Sequence, residues 1–338
     1  MSPETVSIII PCRNEEQYIG RCLDSILKQN FPAQRLDVFV ADGLSIDQTR
    51  EIIQTYADRD SRIHLLVNEE QTTSFGLNLG IKNSKSDVII ILGAHAELLP
   101  DYVSECLAVL NGNPHIGCSG GILENVCENE AAETIGLAMS SGFGVGNAHF
   151  RTGNKEGSVD TVAFGAYKRI VFEKAGLFDT ELVRCQDDEF NYRVIKSGFE
   201  IHLSNKIRCR YFVRASYSKL LRQYYQYGYW KVYAGKKHKA VTTLRQLVPL
   251  LFILYLLGGI AAGLILPELL PLYLVGLSIY IGASLGSAIR ASKKLNQILP
   301  VMGSFFILHF SYGLGYLIGI FHFILLNRKV KSDARLSR

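Results

Sequence analysis

Along the first hundred residues, short apolar runs alternate with segments whose apolar positions recur every three or four residues. Val6–Ile10 is a β-branched run that stops at Pro11, as a buried strand does. Ile19, Cys22, Leu23 and Ile26 then share one face of a helix. Asp37–Ala41 predicts a second strand, and the Asp42-Gly43 turn leads into a helix carrying Ile52, Ile53 and Tyr56. Ile63–Val67 is a third strand, a helix follows near Ser74–Asn83, and Val88–Leu92 is a fourth, very apolar strand. Alternating strands and helices build a mostly parallel sheet with helices on its faces. Such sheets bind ligands beyond the carboxyl ends of their strands. Pro11–Glu15, Asp42-Gly43 and Gly93–His95 are therefore expected at one crevice.

Past His95 the rhythm is mixed. A helix near Asp101–Leu110 and a short strand at Ile116–Ser119 precede 142–157, whose Gly, Asn and Ser content reads as a mobile loop. Val159–Ala166 resumes as a strand, and Asp188–Ser197 reads as a helix with carboxylates in its first turn. Ser218–Lys237 is basic and aromatic, a composition suited to a membrane interface. Leu247–Leu266, Leu269–Ile289 and Ile298–Leu326 are then long and apolar enough to span a bilayer. The third holds Gly313, Gly315 and Gly319, and is either one span or a re-entrant pair of short helices. The pattern divides the chain into a catalytic-type α/β domain (1–215), an interfacial region (216–245), a membrane region (246–327) and a basic tail (328–338).

Charge sharpens this division. The formal net charge of the 338 residues is only +5, yet no Asp or Glu occurs from Ile201 to Pro267, where eleven Lys and Arg residues fall. A basic block abutting an apolar run marks a cytoplasmic membrane flank and not a nucleic-acid surface. Arg290, Lys293 and Lys294 lie between the second and third apolar stretches and favour the same side. A single third span would put the tail outside; a broken one would keep it inside. Seven cysteines without a Cys-x-x-Cys pair argue against a disulfide framework or zinc site, and for reduced thiols in the cytoplasm. The apolar stretch near Met1 is too short for a signal peptide.

The candidate chemistry is carboxylate-based. Asp42 closes a buried strand, where it can bind a base or ribose edge or simply form an Asp-Gly turn. Asn14 and Glu15 follow strand one, where a helix N-terminus can meet a phosphate. In Gln186-Asp187-Asp188-Glu189 one carboxylate can be a general base, and helix capping accounts for another. His95 is the histidine placed like a ligand. There is no Ser-His-Asp arrangement, P-loop or Gly-x-Gly-x-x-Gly.

Taken together, VSIIIPCRNEEQYIGRCLDSILKQ, VADGLSIDQTREII, GLNLGIKNSKSDVIII, VDTVAFGAYKRIVFEKAGLFDTELVRCQDDEFNYRVIKSG and LLRQYYQYGYW resemble the family 2 glycosyltransferases from Val6 to about His238. The resemblance includes the ExoA-like membrane glucosyltransferases of succinoglycan synthesis. It implies a GT-A fold and a UDP-sugar donor, with Pro11, Arg13 and Glu15 lining the nucleotide pocket and Asp42 holding uracil. Asp187 would be the catalytic base. Asp188, Arg222, Gln223 and Trp230 would lie near acceptor and diphosphate. The family's Asp-x-Asp metal motif is here Gly93-Ala94-His95, so Gly93 and Ala94 would touch the nucleotide-sugar and His95 a divalent metal, manganese in preference to magnesium. Restoring the carboxylate by Gly93→Asp is expected to be tolerated. The implied activity is inverting transfer to a lipid-linked acceptor at the cytoplasmic face of a bacterial inner membrane, in envelope or exopolysaccharide synthesis. A degenerate membrane scaffold that only binds nucleotide-sugar is the rival, motivated by Gly93 and Gln186.

Overall fold

The computed structural model describes residues 4–213, 216–238 and 244–328 and divides into two compact units. Residues up to 125 and from 153 to 212 form the first. It begins with β1 (Val6–Cys12), α1 (Ile19–Leu27), β2 (Leu36–Asp42), α2 (Thr49–Arg59), β3 (Ile63–Val67), α3 (Thr73–Asn83) and β4 (Val88–Ile91). These are the strands and helices that the apolar rhythm predicts, displaced by one or two residues. The four strands pair in parallel in the order β3-β2-β1-β4. Val6, Ile8, Ile9 and Ile10 of β1 have no exposed surface, because the strand has a ladder on each side and helices over it. Its one buried hydroxyl, Ser7, shares hydrogen bonds with Ser84 and Ser86 at 2.8 and 2.7 Å. Gly80 lets α3 lie directly on β1: a Cβ there would collide with the Ile9 side chain.

The sheet continues beyond this parallel half. β5 (Ala96–Leu98), α4 (Tyr102–Gly112) and β6 (Ile116–Val126) follow, and later β7 (Gly157–Val159), β8 (Ala163–Lys168), α8 (Arg169–Ala175), α9 (Gln186–Lys196) and β9 (Glu200–Phe212). β8 joins β4 antiparallel and extends the order through β6, β9 and β5, with β7 on β9. The result is a GT-A-like sheet flanked by helices. The strand expected at Val159–Ala166 is in fact two, separated at Asp160–Val162, and β6 runs seven residues past the predicted Ser119.

The second unit holds residues 126–152 and 213–328. The segment 142–157, read as a mobile loop within the first domain, follows α5 (Glu130–Met139) and holds two one-turn helices, α6 (Gly142–Val145) and α7 (His149–Thr152). All three group with the C-terminal helices in the second unit. Gly144 is a packing surface there: a Cβ on it would collide with the Ala138 carbonyl. α10 (Tyr217–His238), α11 (Leu244–Ile265), α12 (Leu270–Ala291) and α13 (Ile298–Gly319) complete the unit.

Three helices here, Gln246–Ile265, Pro267–Ala291 and Leu295–Leu325, are long and apolar enough to cross a membrane. The third is continuous: α13 runs into a π-helical turn at Ile320–Leu325, so the re-entrant pair allowed by the sequence does not form. Its glycines serve close approach and not breakage. Added Cβ atoms on Gly313 and Gly315 would strike the carbonyls of Pro249 and Tyr225, and one on Gly228 the carbonyl of Tyr312. Small residues that bring helix backbones together are a common membrane packing device. Most of the basic tail, with Arg214 and Lys239 of the basic block, lies outside the described residues.

Gly80→Val tests the packing at the sheet centre. The added volume forces Ile9 or α3 aside, and overpacking of this kind costs about 1–3 kcal/mol. Thermal unfolding of the purified variant in detergent is expected at a lower temperature; an unchanged midpoint would mean that the helix sits farther from β1.

Candidate active site at the carboxyl edge of the parallel strands

The register aligns the strand ends. Cys12 pairs with Asp42 and Asp42 with Val67, while Ile9 pairs with Ile91. Gly43 N–H donates to the Cys12 carbonyl at 2.9 Å and Leu92 N–H to that of Ile9 at 3.0 Å. The three segments expected at one crevice, Pro11–Glu15, Asp42-Gly43 and Gly93–His95, do leave the sheet along one edge.

Asp42 organises the first loops. It is fully buried, and Ser45 donates to its carboxylate from the hydroxyl at 2.5 Å and the amide at 3.2–3.3 Å. The same Ser45 hydroxyl accepts the Asn14 amide at 2.9 Å, and Asn14 Oδ1 accepts Ile46 N–H at 2.9 Å. Asn14 and Leu44 hold left-handed backbone, with φ of 53° and 55°. Glu15 N–H donates to Thr49 Oγ1 at 2.7 Å. The loops after β1 and β2 are thus stitched together, with Asp42 as the central acceptor. Its carboxylate has accepting capacity beyond the Ser45 bonds. The Asp-Gly turn reading is therefore part of the answer. Ser45 and Asn14 are the partners that make it so, and Ser45 carries no signal in the sequence.

Glu15 and His95 meet in this crevice. The His95 Nδ1 lies 3.6 Å from Glu15 Oε1, and the imidazole stands edge-on to Tyr211 with centroids 5.2 Å apart. The two side chains are 21% and 9% exposed, enough for ligand access yet fixed by their surroundings. Beneath them the Cys22 thiol donates to the Gly93 carbonyl at 3.9 Å. Burial pushes this thiol well above the ordinary range, and the Glu15 and Glu97 carboxylates push it further. It stays protonated and takes no nucleophilic part.

The place of the missing carboxylate faces an aromatic ring. A Cβ on Gly93 would lie 3.0 Å from a Phe164 ring carbon. Phe164 has left-handed backbone, φ 51°, and its carbonyl accepts the hydroxyl of fully buried Tyr102 at 2.6 Å. Within the strand pattern Val159–Ala166 nothing marks Phe164 as special, so the sequence does not disclose it. A side chain at position 93 thus requires the Phe164 ring to shift by a few tenths of an ångström.

The acidic cluster divides by role. Glu189 is buried and forms a double ion pair with Arg193 at 2.5 and 2.8 Å, while Arg193 also donates to the carbonyls of Ala175 and Leu177. Glu189 therefore fastens α9 to the end of α8. Asp187 is exposed in the first turn of α9, and its Oδ1 accepts the Asp188 amide at 2.9 Å. Asn191, one turn on, accepts the Tyr167 hydroxyl of β8 at 2.8 Å and donates to Thr161 at 2.9 Å. Those bonds fix the helix that carries Asp187.

Arg222, Gln223 and Trp230 belong to α10, in the second unit. Arg222 is exposed. Gln223 is buried and donates to the Tyr227 hydroxyl at 2.8 Å. Trp230 is buried among Tyr229, Tyr233 and Phe323, so its ring packs this helix against the end of the third apolar stretch.

Among the described residues no group of three or more His, Cys, Asp and Glu side chains could hold a metal. The His95–Glu15 pair offers one imidazole and one carboxylate. Such a pair fits a divalent ion that draws its remaining ligands from a bound diphosphate and water, with imidazole favouring manganese over magnesium.

Comparison with known proteins agrees with this fold. A curated relative, the dolichyl N-acetyl-alpha-D-glucosaminyl phosphate 3-beta-D-2,3-diacetamido-2,3-dideoxy-beta-D-glucuronosyltransferase of Methanococcus voltae, is 31% identical over 91% of this chain and 95% of its own. The succinoglycan biosynthesis protein ExoA of Rhizobium meliloti is 27% identical over 91% and 93%. Among solved structures, a mannosyltransferase from Pyrobaculum calidifontis in complex with GDP-Man and Mn2+ superposes with a TM-score of 0.56 at 17% identity, covering 97% of this chain and 89% of that one. Staphylococcus aureus TarS 1–349 in complex with UDP gives 0.52 at 17% identity, covering 93% and 92%. The model for "Glycosyl transferase family 2" matches residues 7–176, which carry β1 to α8 and with them Asp42, the Glu15–His95 pair and the Gly93–Phe164 contact. By that match and by the near full-length likeness to the curated relatives, the chain is a glycosyltransferase of family 2.

Proposed function

We propose that the chain moves a sugar, with inversion, from a nucleoside diphosphate donor to a lipid-linked acceptor at the cytoplasmic face of a bacterial inner membrane. The observation that carries the reading is the convergence of Asp42, Glu15 and His95 at the carboxyl edge of the parallel strands. UDP-hexose is the donor in this reading. The TarS structure holds UDP and the P. calidifontis enzyme GDP-Man, which supports a nucleotide-sugar. The lipid-linked acceptor is supported by the dolichyl phosphate in the name of the M. voltae relative and by the three apolar helices. The basic residues flanking those helices support a cytoplasmic site, and the ExoA relative supports polysaccharide synthesis.

In the proposed mechanism the nucleotide lies across the strand ends. Asp42 accepts a donor from the uracil edge, and Pro11 and Arg13 line the pocket beside it. Gly93 and Ala94 pass under the sugar diphosphate, where Phe164 covers Gly93. Glu15 orients the His95 ring, which with a bound divalent ion would help neutralise the diphosphate. Asp187 takes the proton of the acceptor hydroxyl, the oxygen attacks the anomeric carbon, and the nucleoside diphosphate leaves from the opposite face. Asp188, Arg222, Gln223 and Trp230 are assigned to the acceptor and diphosphate side. For Trp230 the assignment is indirect, through its packing in α10.

Asp187→Asn is expected to keep UDP binding, read by calorimetry, while turnover falls by about 10²–10⁴-fold. Turnover near wild type would move the base elsewhere. For the metal, His95→Ala is expected to remove manganese-stimulated activity and to weaken UDP binding only when manganese is present. Equal UDP affinity with manganese, magnesium and chelator would sink the metal role of His95. Gly93→Asp alone is expected to lower stability by about 1–3 kcal/mol, since the Phe164 ring must move. In a double-mutant cycle Phe164→Ala should relieve that loss. Additive unfolding free energies would show that the two positions are uncoupled.

A further inference from the structure

The second unit contains a polar contact deep within its apolar helices. His309 lies eleven residues past Ile298 in α13, and Tyr280 eleven residues before Ala291 in α12. At 1.5 Å per residue each is about 16 Å from the helix end next to Arg290, Lys293 and Lys294. Phe252, stacked on Tyr280 with centroids 4.4 Å apart, lies about 9 Å from the Gln246 end of its span by the same rise. His309 and Tyr280 thus define a layer about 16 Å below that boundary, inside a hydrocarbon core about 30 Å thick.

Phe143 of α6 belongs to the same layer. Its ring is 5.0 Å from Phe305, 5.1 Å from His309 and 5.9 Å from Tyr280, measured between centroids. His309 uses both ring nitrogens: Nε2 lies 2.8 Å from the Phe143 carbonyl and Nδ1 3.0 Å from the Tyr280 hydroxyl. Backbone that is not in a continuous helix survives at membrane depth only if its polar groups are satisfied by protein. A one-turn helix leaves its last carbonyls without helical partners. His309 supplies a donor to one of them. An ionisable side chain within a span is costly and needs such a reason.

The sequence of the segment agrees independently. Between Glu133 and Arg151 there is no Asp, Glu, Lys or Arg. α5 begins at Glu130 and runs ten residues, so it carries the chain about 15 Å from its charged end, close to the depth of His309. Gly142 at the tip is exposed. A loop in water would have no use for so long an uncharged stretch, nor for a half-buried histidine in an apolar helix to receive its carbonyl.

We propose that residues 130–152 form a re-entrant membrane element, with the α6 tip at Gly142 in contact with acyl chains of the leaflet on the Arg290 side and His309 as its anchor. The interaction partner is the lipid bilayer itself. The inference rests on reading the C-terminal helices as membrane spans, and the experiment separates the two.

A cysteine at Gly142 meets nothing within 4 Å, so it can carry an NBD label without displacing a neighbour. The background is Cys127→Ser and Cys185→Ser, since the other cysteines are buried. The labelled full chain is reconstituted in phosphatidylcholine vesicles. Emission at 142 is expected to be lost to doxyl-labelled phospholipid and to resist iodide, whereas a label at exposed Gln54 shows the reverse. His309→Ala should open the 142 label to iodide, while His309→Gln, whose amide can still donate to the Phe143 carbonyl, should protect it. Protein that floats with the vesicles but loses emission at 142 to iodide and not to lipid would overturn the re-entrant element alone. Failure to float would overturn the membrane reading and the element with it. Lipid quenching unchanged in His309→Ala would overturn the anchor.

Discussion

The fold depends on one strand having no free edge. β1 is laddered in parallel to β2 and β4, and its four large apolar side chains have no contact with solvent. Parallel pairing forbids a tight return, so each neighbouring strand is reached by a helical crossover and all strands point the same way. Every functional segment of the parallel half therefore leaves on one side. The loops after β1 and β2 need no ligand to find one another, because the Asp42–Ser45–Asn14 hydrogen bonds already join them. Preorganisation of this kind is what a nucleotide pocket needs from its scaffold.

Where the sequence was legible, a strong local period was the reason. β1 to β4 are uniform apolar runs bounded by turn residues, and the helices between them have clean apolar faces, so elements and crevice could both be placed. The apolar C-terminal helices were legible by length alone. Other features depend on distant partners. Gly313, Gly315 and Gly319 suggest a broken helix until the carbonyls opposite them are known. Glu189 reads like its neighbours Asp187 and Asp188 until Arg193 is seen to pair with it. Phe164 is one apolar residue in a strand, and only its left-handed backbone and its contact with Gly93 distinguish it.

That contact also changes how the altered metal motif is understood. A glycine at position 93 read alone is a loss. Beside Phe164 it is half of a packed pair, held by the Tyr102 hydroxyl on the Phe164 carbonyl. Around Gly93 the crevice thus carries both the apolar Phe164 ring and the His95 imidazole.

The interleaving of the two units sets an order of events during synthesis. The chain passes between them after Asn125, again after Thr152, and again after Phe212. Residues 126–152 thus leave the ribosome before any of the helices they pack on. Roughly 150 residues separate α7 from the start of α13, which at 5–20 residues per second is about seven to thirty seconds. Through that interval an uncharged stretch waits without its partner helix, between two halves of a sheet that is itself unfinished. Sheltering that stretch, whether by the nascent sheet, the insertion machinery or a chaperone, becomes a condition of biogenesis written into the connectivity of the fold.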